Sequence, residues 1–492
     1  MGTWSETKEH ARRTLVSLTG SRVQTASAIA ALSLPALLSP VAAVASAAAA
    51  GALLFARSRA TRQPFAAAAG KGGSRHVETY PIGTSGDGAP VALNAQQISS
   101  GMLVYGTTGS GRTEALLGIA EGMLAKGSGM IFIDGVGDVS LYAKVVSIAA
   151  ALGREDDVLV VMPAYDGIPR GHAFNPFEVG TARQLATLVG DLLEPSCVGY
   201  DVKPRAVALV RPLLEALVRR RDTGLSALDV DALLAALRFE NVHALLEDRE
   251  LPDAVKDDLR SYVDTIPGYQ PERGTKQSLH ALEQHGYVES YVSSMLKHLK
   301  QAAIMTGSIP QIDMVDVMRN DRILVVLLPS LDRSELESSI CSRAVVATLR
   351  MAMTSMLETR ATVDGAIATA RRTKPFPIIL NDVGFIASRA LGLIVPTAYG
   401  LGFSMIYGAP DERSLTRRFS KFGDDLIANT NITIRLHPDG DGRMTTSVKG
   451  VVRDLVAIYP RTLGVNPTTS HAADRPRLEP FDLIPLTGHL AN

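Results

Sequence analysis

Apolar residues along this chain follow two alternating patterns. Short continuous apolar runs, typical of buried strands, alternate with segments in which apolar residues recur every three or four positions, typical of helices. The runs predict strands at 102–105, 129–134, 158–162, 323–328, 376–380, 403–407 and 432–436, with short β-like pieces at 80–82 and 91–93. The periodic segments predict helices at 115–124, 141–152 and 335–357. This alternation predicts an α/β fold with a parallel, doubly wound sheet whose ligand lies at the carboxyl ends of the strands.

A long helical stretch interrupts this alternation. From about residue 194 to 318 no strand-like run occurs, and the periodicity predicts helices at 207–217, 228–237, 254–263 and 288–303. We therefore expect an all-helical domain inserted into the α/β body.

The N-terminal part of the chain has a different character, because no charged residue occurs between Val23 and Ala56. One straight helix of that length would extend roughly 50 Å, whereas the hydrocarbon core of a bilayer is about 30 Å thick. Two short spans that turn around residues 38–41 fit better, and the arginines on both flanks place both ends in the cytoplasm. A transmembrane hairpin is the leading interpretation; a single kinked span and a soluble alanine-rich segment are the alternatives. The run is too long for a cleaved signal peptide.

These patterns give a provisional division of the chain. The segments are a cytosolic tail (1–22), the transmembrane hairpin (23–56), a tether with the first strands (57–100), the first part of a nucleotide-binding domain (101–193), the all-helical insert (194–320), the second part of the nucleotide-binding domain (321–465) and a C-terminal tail (466–492).

Composition narrows the function classes only slightly. The 492 residues carry 50 basic and 50 acidic side chains, so no overall charge attracts nucleic acid or acidic partners. The two cysteines, Cys197 and Cys341, have no metal-ligand spacing and are expected to be reduced thiols. Short basic clusters at 219–221 and 371–372 are candidate phosphate contacts, but such clusters are more often solvated surfaces or subunit contacts.

The chemistry of the chain is concentrated after the strand at 102–105. The sequence Gly-Thr-Thr-Gly-Ser-Gly-Arg-Thr connects this strand to a helix, which is the setting of a phosphate-binding P-loop, G-x-x-x-x-G-K-[ST], with Arg112 in place of the lysine. Backbone N–H groups in such a loop surround a polyphosphate, and the Thr113 hydroxyl would bind Mg²⁺. The predicted nucleotide-binding residues are Gly106, Thr107, Thr108, Gly109, Ser110, Gly111, Arg112 and Thr113, together with Asp134 at the end of the second strand. The alternative is a glycine-rich turn that binds nothing.

Further motifs accompany the P-loop in a fixed order. They lie at 133–138 (Ile-Asp-Gly-Val-Gly-Asp), 174–177 (Phe-Asn-Pro-Phe), 261–269, 322–329 and 401–404 (Leu-Gly-Phe-Ser). With these motifs the chain resembles the type IV secretion and conjugation coupling proteins, which are TraD-type P-loop ATPases related to FtsK and HerA. It is most similar to the branch of I-type conjugation and Dot/Icm (type IVB) systems, and the resemblance extends from the hairpin to about Tyr459.

The resemblance implies a RecA-like P-loop NTPase domain that binds ATP with Mg²⁺ and assembles as a hexamer. Asn381 and Asp382 match the Walker B acids in degenerate form, and Asp382 with Thr113 would bind the metal ion. The chain departs from the family pattern at catalytic positions, which are Arg112 for the P-loop lysine, Val136 for a loop lysine, Asn381-Asp382 for Asp-Glu, Tyr399-Gly400 in place of an arginine, and Pro410 for a glutamine. Because such groups act as a unit, these substitutions predict weak or absent hydrolysis. Active hydrolysis, a nucleotide-binding pseudo-ATPase and complete loss of nucleotide binding all stay open.

The resemblance supports one leading function and two alternatives. The leading hypothesis is a coupling protein in the bacterial inner (cytoplasmic) membrane, with most of the chain in the cytoplasm, that delivers DNA or protein cargo to a type IV secretion channel. Its partners would be like subunits or an intact coupling-protein paralogue, together with type IV secretion channel components, DNA or protein cargo and the lipid bilayer. The first alternative is a non-catalytic structural or regulatory subunit that works with an intact paralogue. The second is an FtsK/HerA-like DNA translocase outside secretion.

Overall fold

The computed structural model describes residues 78–85, 88–162, 171–193, 202–301, 310–330, 333–362, 372, 374–386, 388–418, 420–448 and 451–463. The chain divides into two compact units, one comprising Arg75–Ile148 and Asp156–Asn492 and the other Met1–Ser74 and Ala149–Glu155. Every site discussed below lies in the first unit. The hairpin predicted at 23–56 lies outside the described residues.

The first unit contains a mixed sheet. In the described part of the chain it has eleven strands in the order β2-β1-β11-β10-β9-β3-β8-β7-β4-β6-β5. The strands are β1 (Thr79–Ser85), β2 (Pro90–Asn94), β3 (Met102–Tyr105), β4 (Met130–Asp134), β5 (Val158–Val161), β6 (Ile323–Leu327), β7 (Phe376–Asn381), β8 (Phe403–Ala409), β9 (Ile432–Leu436), β10 (Arg443–Val448) and β11 (Val451–Ala457).

The strands from β9 to β5 in this order are parallel to their neighbours. In β3, β4, β6, β7 and β8 every residue is buried, as expected for a parallel sheet covered on both faces. The strands predicted from apolar runs are thus confirmed.

The predicted parallel sheet is confirmed for the seven strands from β9 to β5, and β10, β11, β1 and β2 add antiparallel pairs beyond β9 that the sequence did not predict. Strands β10 and β11 were not predicted. Residues of β10 alternate between buried and more exposed positions, so no continuous apolar run marks this strand in the sequence. Antiparallel neighbours need only short turns, and they extend the sheet without crossover helices.

The helices are α1 (Ala95–Ile98), α2 (Arg112–Leu124), α3 (Val139–Ala151), α4 (Ala182–Leu192), α5 (Val202–Asp222), α6 (Val230–Ala236), α7 (Phe239–Glu247), α8 (Asp253–Asp264), α9 (Leu279–Gln301), α10 (Met314–Arg319), α11 (Glu335–Thr362), α12 (Arg389–Leu401), α13 (Glu412–Arg418) and α14 (Ser420–Ala428). The predicted helices are confirmed with shifted ends. Helices α1, α4, α7, α10, α12, α13 and α14 were not predicted, and each spans thirteen residues or fewer. Among the helices that the structure describes, none has both the length and the apolar character to cross a membrane.

Only helices occur between β5 and β6 in the described residues, as the periodicity predicts. Helix α5 packs against α4, α8 and α9, and α11 packs against α4, α9 and α12. The helical segment and the helices beside the sheet therefore share one continuous hydrophobic core.

Candidate functional site

The predicted strand–loop–helix is present. Strand β3 ends at Tyr105, α2 begins at Arg112, and the loop between them exposes Thr107, Thr108 and Gly109. Helix α2 has no side-chain cap, so the N–H groups of its first turn, which have no partner within a helix, remain available for an anion. The loop therefore has the backbone features of a phosphate cradle.

Gly111 is required by both its conformation and its surroundings. Its φ of +81° lies in the left-handed region, which residues other than glycine rarely adopt. A Cβ atom at Gly111 would also lie 1.9 Å from the hydroxyl oxygen of Tyr459, which follows β11. The segment that follows β11 thus contacts the P-loop directly.

The Arg112 side chain points toward the ends of neighbouring strands. Its Nη1 donates to the carbonyl oxygen of Gly106 at 2.7 Å, its Nε donates to Oδ1 of Asn381 at 3.1 Å, and its Nη2 donates to Oδ1 of Asp382 at 2.5 Å. The side chains of Arg112 and Asp382 are 10% and 14% exposed, so this ion pair is largely shielded from water. Arg112 therefore connects the start of the P-loop to Asn381 and Asp382 at the end of β7.

Asn381 extends this network to the predicted acid on the second strand. Its Nδ2 donates to Oδ1 of Asp134 at 2.8 Å, while Oδ2 of Asp134 accepts from the N–H groups of Gly137 and Asp138 at 2.7 and 2.9 Å. Burial raises the pKa of Asp134, and these hydrogen bonds oppose that rise. We call Arg112, Asn381, Asp382 and Asp134 the strand-end cluster.

Sheet order explains why residues so distant in sequence meet. Strand β8 lies between β3 and β7, and β4 pairs with β7 so that Asp134 lies opposite Asn381. Carboxyl ends of parallel strands share one edge of the sheet. Asn381 reaches across β8 because position 408 is glycine, where a Cβ atom would lie 2.7 Å from the Asn381 Oδ1.

Two buried hydroxyl groups near the loop have no hydrogen-bond partner among the described residues. They belong to Ser110 and Tyr459, which are 0% and 5% exposed. Burial, followed by the carboxylates of Glu114 and Asp441, raises the pKa of Tyr459 to about 12, so its hydroxyl remains a donor at neutral pH. Sequence reasoning did not assign Tyr459 to the site, and no local pattern marks it, since it reaches Gly111 only through the fold.

Two further substituted positions, Pro410 and Tyr399, lie at opposite edges of the sheet. Pro410 lies beside the P-loop, in a cavity of about 260 Å³ lined also by Gly106, Thr107 and Arg435. Tyr399 instead lines a cavity with Gly101 and Asn431, which precede β3 and β9 and thus lie at the opposite ends of these strands. The structure does not bring Tyr399 to the P-loop of its own chain.

The basic cluster at 219–221 makes internal contacts. Arg220 pairs with Asp248 at 2.9 Å, and Arg221 donates to the carbonyl oxygens of Phe177 and Gly180 at 2.9 and 2.8 Å. Arg221 thereby links α5 to the Phe-Asn-Pro-Phe motif, whose Asn175 also donates to the carbonyl oxygen of Leu228 at 2.8 Å. Arg221 therefore joins the helical segment to the Phe-Asn-Pro-Phe region, whereas the Arg220–Asp248 pair lies within the helical segment.

Nucleotide phosphates fit the site better than Mg²⁺ does. Thr113 lies in the first turn of α2, where its hydroxyl could face a phosphate, but the acids that a Mg²⁺ ion prefers are engaged. Asp382 pairs with Arg112, Asp134 accepts three hydrogen bonds at 2% exposure, and Asn381 is uncharged. No cluster of three or more metal-ligating side chains occurs in the part of the chain that the structure describes.

These features favour the binding of an anion at the loop. The loop N–H groups and the α2 N-terminus carry partial positive charge, and the Arg112 guanidinium beside them carries a full positive charge. Phosphoryl transfer needs a carboxylate that orients the attacking water. In the strand-end cluster, Asp382 is paired with Arg112 and Asp134 accepts a hydrogen bond from Asn381.

No protein-family profile matches the chain. By sequence it is 33% identical over 362 residues to the type 4 coupling protein DotL of Legionella pneumophila, an alignment that covers 68% of this chain and 46% of DotL. The chain thus spans about half the length of this relative.

Among solved structures, a TrwB plasmid coupling protein in complex with ADP and Mg²⁺ has a TM-score of 0.47 and 12% identity, covering 80% of this chain and 91% of TrwB. VirB4 of Thermoanaerobacter pseudethanolicus has a TM-score of 0.46 and 11% identity, covering 79% of this chain and 98% of VirB4. These structural likenesses are too weak to transfer any activity.

The sequence relationship is much stronger, and the aligned residues make up most of this chain. By that relationship, the chain belongs to the type IV coupling protein family, in the Dot/Icm branch that includes DotL.

Proposed function

We propose that this chain is a membrane-anchored coupling protein of a type IV secretion or conjugative transfer system, which binds nucleotide at the P-loop and hydrolyses it weakly or not at all. A RecA-like body, an all-helical insert at 194–320 that faces cargo, and a transmembrane hairpin at 23–56 would form its working parts. Like subunits would assemble around the channel as a hexamer. The relationship to DotL supports the coupling role.

The observation that carries the weak-hydrolysis part is the engagement of Arg112. Its guanidinium is held by Gly106, Asn381 and Asp382, so the residue at the lysine position is already paired with the residues that match the Walker B acids. A P-loop lysine acts as a compact charge on the β- and γ-phosphates, whereas arginine is a planar fork with different geometry. Binding tolerates this difference better than transition-state stabilisation does.

The test uses the full chain purified from membranes in detergent. We expect measurable binding of ATP by calorimetry, with turnover of phosphate close to that of the buffer blank. Brisk turnover would contradict the weak-hydrolysis proposal. In the host bacterium, deletion of the chain should reduce cargo transfer, and a version lacking 23–56 should fail to restore it.

The alternative of a non-catalytic subunit is favoured by the same engagement of Arg112. It predicts that Arg112→Ala restores transfer as well as the unmodified chain when both accumulate to equal levels. The Asp257→Asn variant, which alters an exposed ion pair in α8, is the matched control for expression. Loss of transfer with Arg112→Ala alone would favour a direct role for nucleotide.

A further inference from the structure

We propose that Arg112 takes the place of the divalent cation at this site, so that the chain binds nucleotide phosphates independently of Mg²⁺. This inference rests on the nucleotide binding proposed above. It specifies the form of the ligand, which is the metal-free di- or triphosphate.

The first argument is the position of the guanidinium. In P-loop proteins a metal ion and a lysine share the charge of the phosphates, and the metal is held by an acid at the end of a neighbouring strand. Here the positive group found against that acid is Arg112, whose Nη2 lies 2.5 Å from Oδ1 of Asp382. The neighbouring Asn381 Oδ1 also accepts from the same guanidinium, at 3.1 Å.

The second argument is the donor count. An arginine side chain carries five N–H donors, and the structure uses one on each of its three nitrogens. The remaining two N–H groups, one on each Nη, take no part in these three contacts and would be the donors to phosphate oxygens. Guanidinium binds phosphate with two parallel hydrogen bonds more readily than an ammonium group does.

The third argument is that the other nearby carboxylates already accept hydrogen bonds. Both oxygens of Asp134 accept hydrogen bonds. The carboxylate of Asp138 accepts from the N–H and the hydroxyl of Ser140, at 2.8 and 2.7 Å. Mg²⁺ binds with strict octahedral geometry to carboxylate, phosphate and water oxygens, and at Asp382 it would compete with the guanidinium that already neutralises this carboxylate.

This geometry assigns Asp382 a role opposite to that of a metal ligand. Asp382 competes with phosphate for the guanidinium, because both are anions that bind the same fork. Replacing Asp382 with asparagine should therefore strengthen phosphate binding. If Asp382 held Mg²⁺ instead, the same substitution would weaken binding in the presence of the metal.

The experiment measures ADP and ATP affinity of the full chain in detergent by calorimetry, with Mg²⁺ and with EDTA. We expect dissociation constants that agree within about twofold between the two conditions, and an increase in affinity of roughly fivefold to tenfold in Asp382→Asn, where tenfold corresponds to about 1.4 kcal/mol. The matched control is Asp257→Asn, which removes one acid from the exposed pair with Arg260 and should change neither value. The comparison of wild-type protein in Mg²⁺ and EDTA requires no variant and remains decisive if Asp382→Asn fails to fold.

The outcomes separate the two proposals. Affinity at least tenfold weaker in EDTA, or weaker binding by folded Asp382→Asn, would overturn the replacement of the metal by Arg112 while leaving nucleotide binding in place. No binding in either condition would overturn nucleotide binding and this inference with it, and would leave the coupling role to the transfer assay.

Discussion

Two buried polar networks in this protein are stabilised in different ways. The strand-end cluster is ionic, since Arg112 pairs with Asp382 while Asn381 and backbone N–H groups hold Asp134. In the helical segment, His285 is 1% exposed and is hydrogen-bonded to neutral groups only. The first network pairs opposite charges inside the fold, whereas the hydrogen-bond partners in the second carry no charge.

The hydrogen bonds of His285 fit the neutral ring. Its Nε2 lies 2.8 Å from the carbonyl oxygen of Leu237, which can only accept, so Nε2 carries the proton. Its Nδ1, 2.9 Å from the hydroxyl oxygen of Tyr262, then accepts from that hydroxyl in the neutral ring. Burial is the main cause that lowers the pKa of His285. The comparison teaches that the stability of the strand-end cluster depends on the pairing of Arg112 with Asp382, whereas the stability of the His285 network depends on the pH at which the ring is protonated.

The largest expected effect is in the ionic network. Arg112→Ala would leave Asp382 without its cation and the Asn381 Oδ1 without its donor, in a setting with little access to water. Removing one member of a largely buried pair costs about 3–5 kcal/mol. Urea denaturation of the full chain in detergent measures this loss in the free energy of unfolding.

The control for Arg112→Ala is Arg260→Ala, in a pair whose side chains are 53% and 66% exposed. That change should lower the free energy of unfolding by no more than about 1 kcal/mol. Equal losses in the two variants would contradict a special role for the strand-end cluster.

A second prediction concerns the amide between two charged groups. Asn381→Asp would replace the donor to Asp134 with a carboxylate oxygen, about 2.8 Å from Oδ1 of Asp134. We expect a loss of about 2–3 kcal/mol at neutral pH. Because each carboxylate raises the pKa of the other in the folded state, the lost stability should return as the pH falls below the raised pKa.

Asn320→Asp is the matched control, because exposed Asn320 donates to Asp316 at the surface in a similar amide–carboxylate hydrogen bond. Denaturation midpoints from about pH 5 to 8 should change strongly with pH for Asn381→Asp and weakly for Asn320→Asp. Identical pH profiles would mean that the strand-end cluster tolerates an additional negative charge.

The smallest effect is expected in the neutral network. Since the pKa of His285 is lowered in the folded state, its contribution to stability is fully present above the unfolded value of 6.5 and is lost as the pH falls toward the folded value. The slope from this one group is at most about 1.36 kcal/mol per pH unit. The charged groups that influence the ring are Glu240, Glu289 and Arg205.

His285→Gln should therefore lose less stability than the wild type between about pH 7.5 and 5.5. His280→Gln, at an exposed position on the same helix α9, should retain the wild-type profile. Unchanged pH dependence in His285→Gln would show that other groups dominate the acid response.

The sequence predicted the strand, loop and helix of the site better than the contacts between its side chains. The run from Met102 to Tyr105, the glycine-rich loop and the helix after it follow from apolar patterning and turn chemistry, which depend on neighbouring residues. The contact between Arg112 and Asp382 could not be predicted, because residues matching a motif do not reveal which partners they bind. The roles of these residues toward nucleotide and metal remain predictions.

The sequence alone determined the α/β character of the chain, the helical stretch between β5 and β6, and the substituted P-loop, because periodicity and loop composition act over a few residues. Only the tertiary structure decided that Arg112 binds Asn381 and Asp382, that Tyr459 covers Gly111, and that antiparallel strands extend one side of the sheet. The physical reason is that sheet order brings together strand ends that are far apart in the chain, and hydrophobic periodicity specifies that a strand is buried without specifying its neighbours.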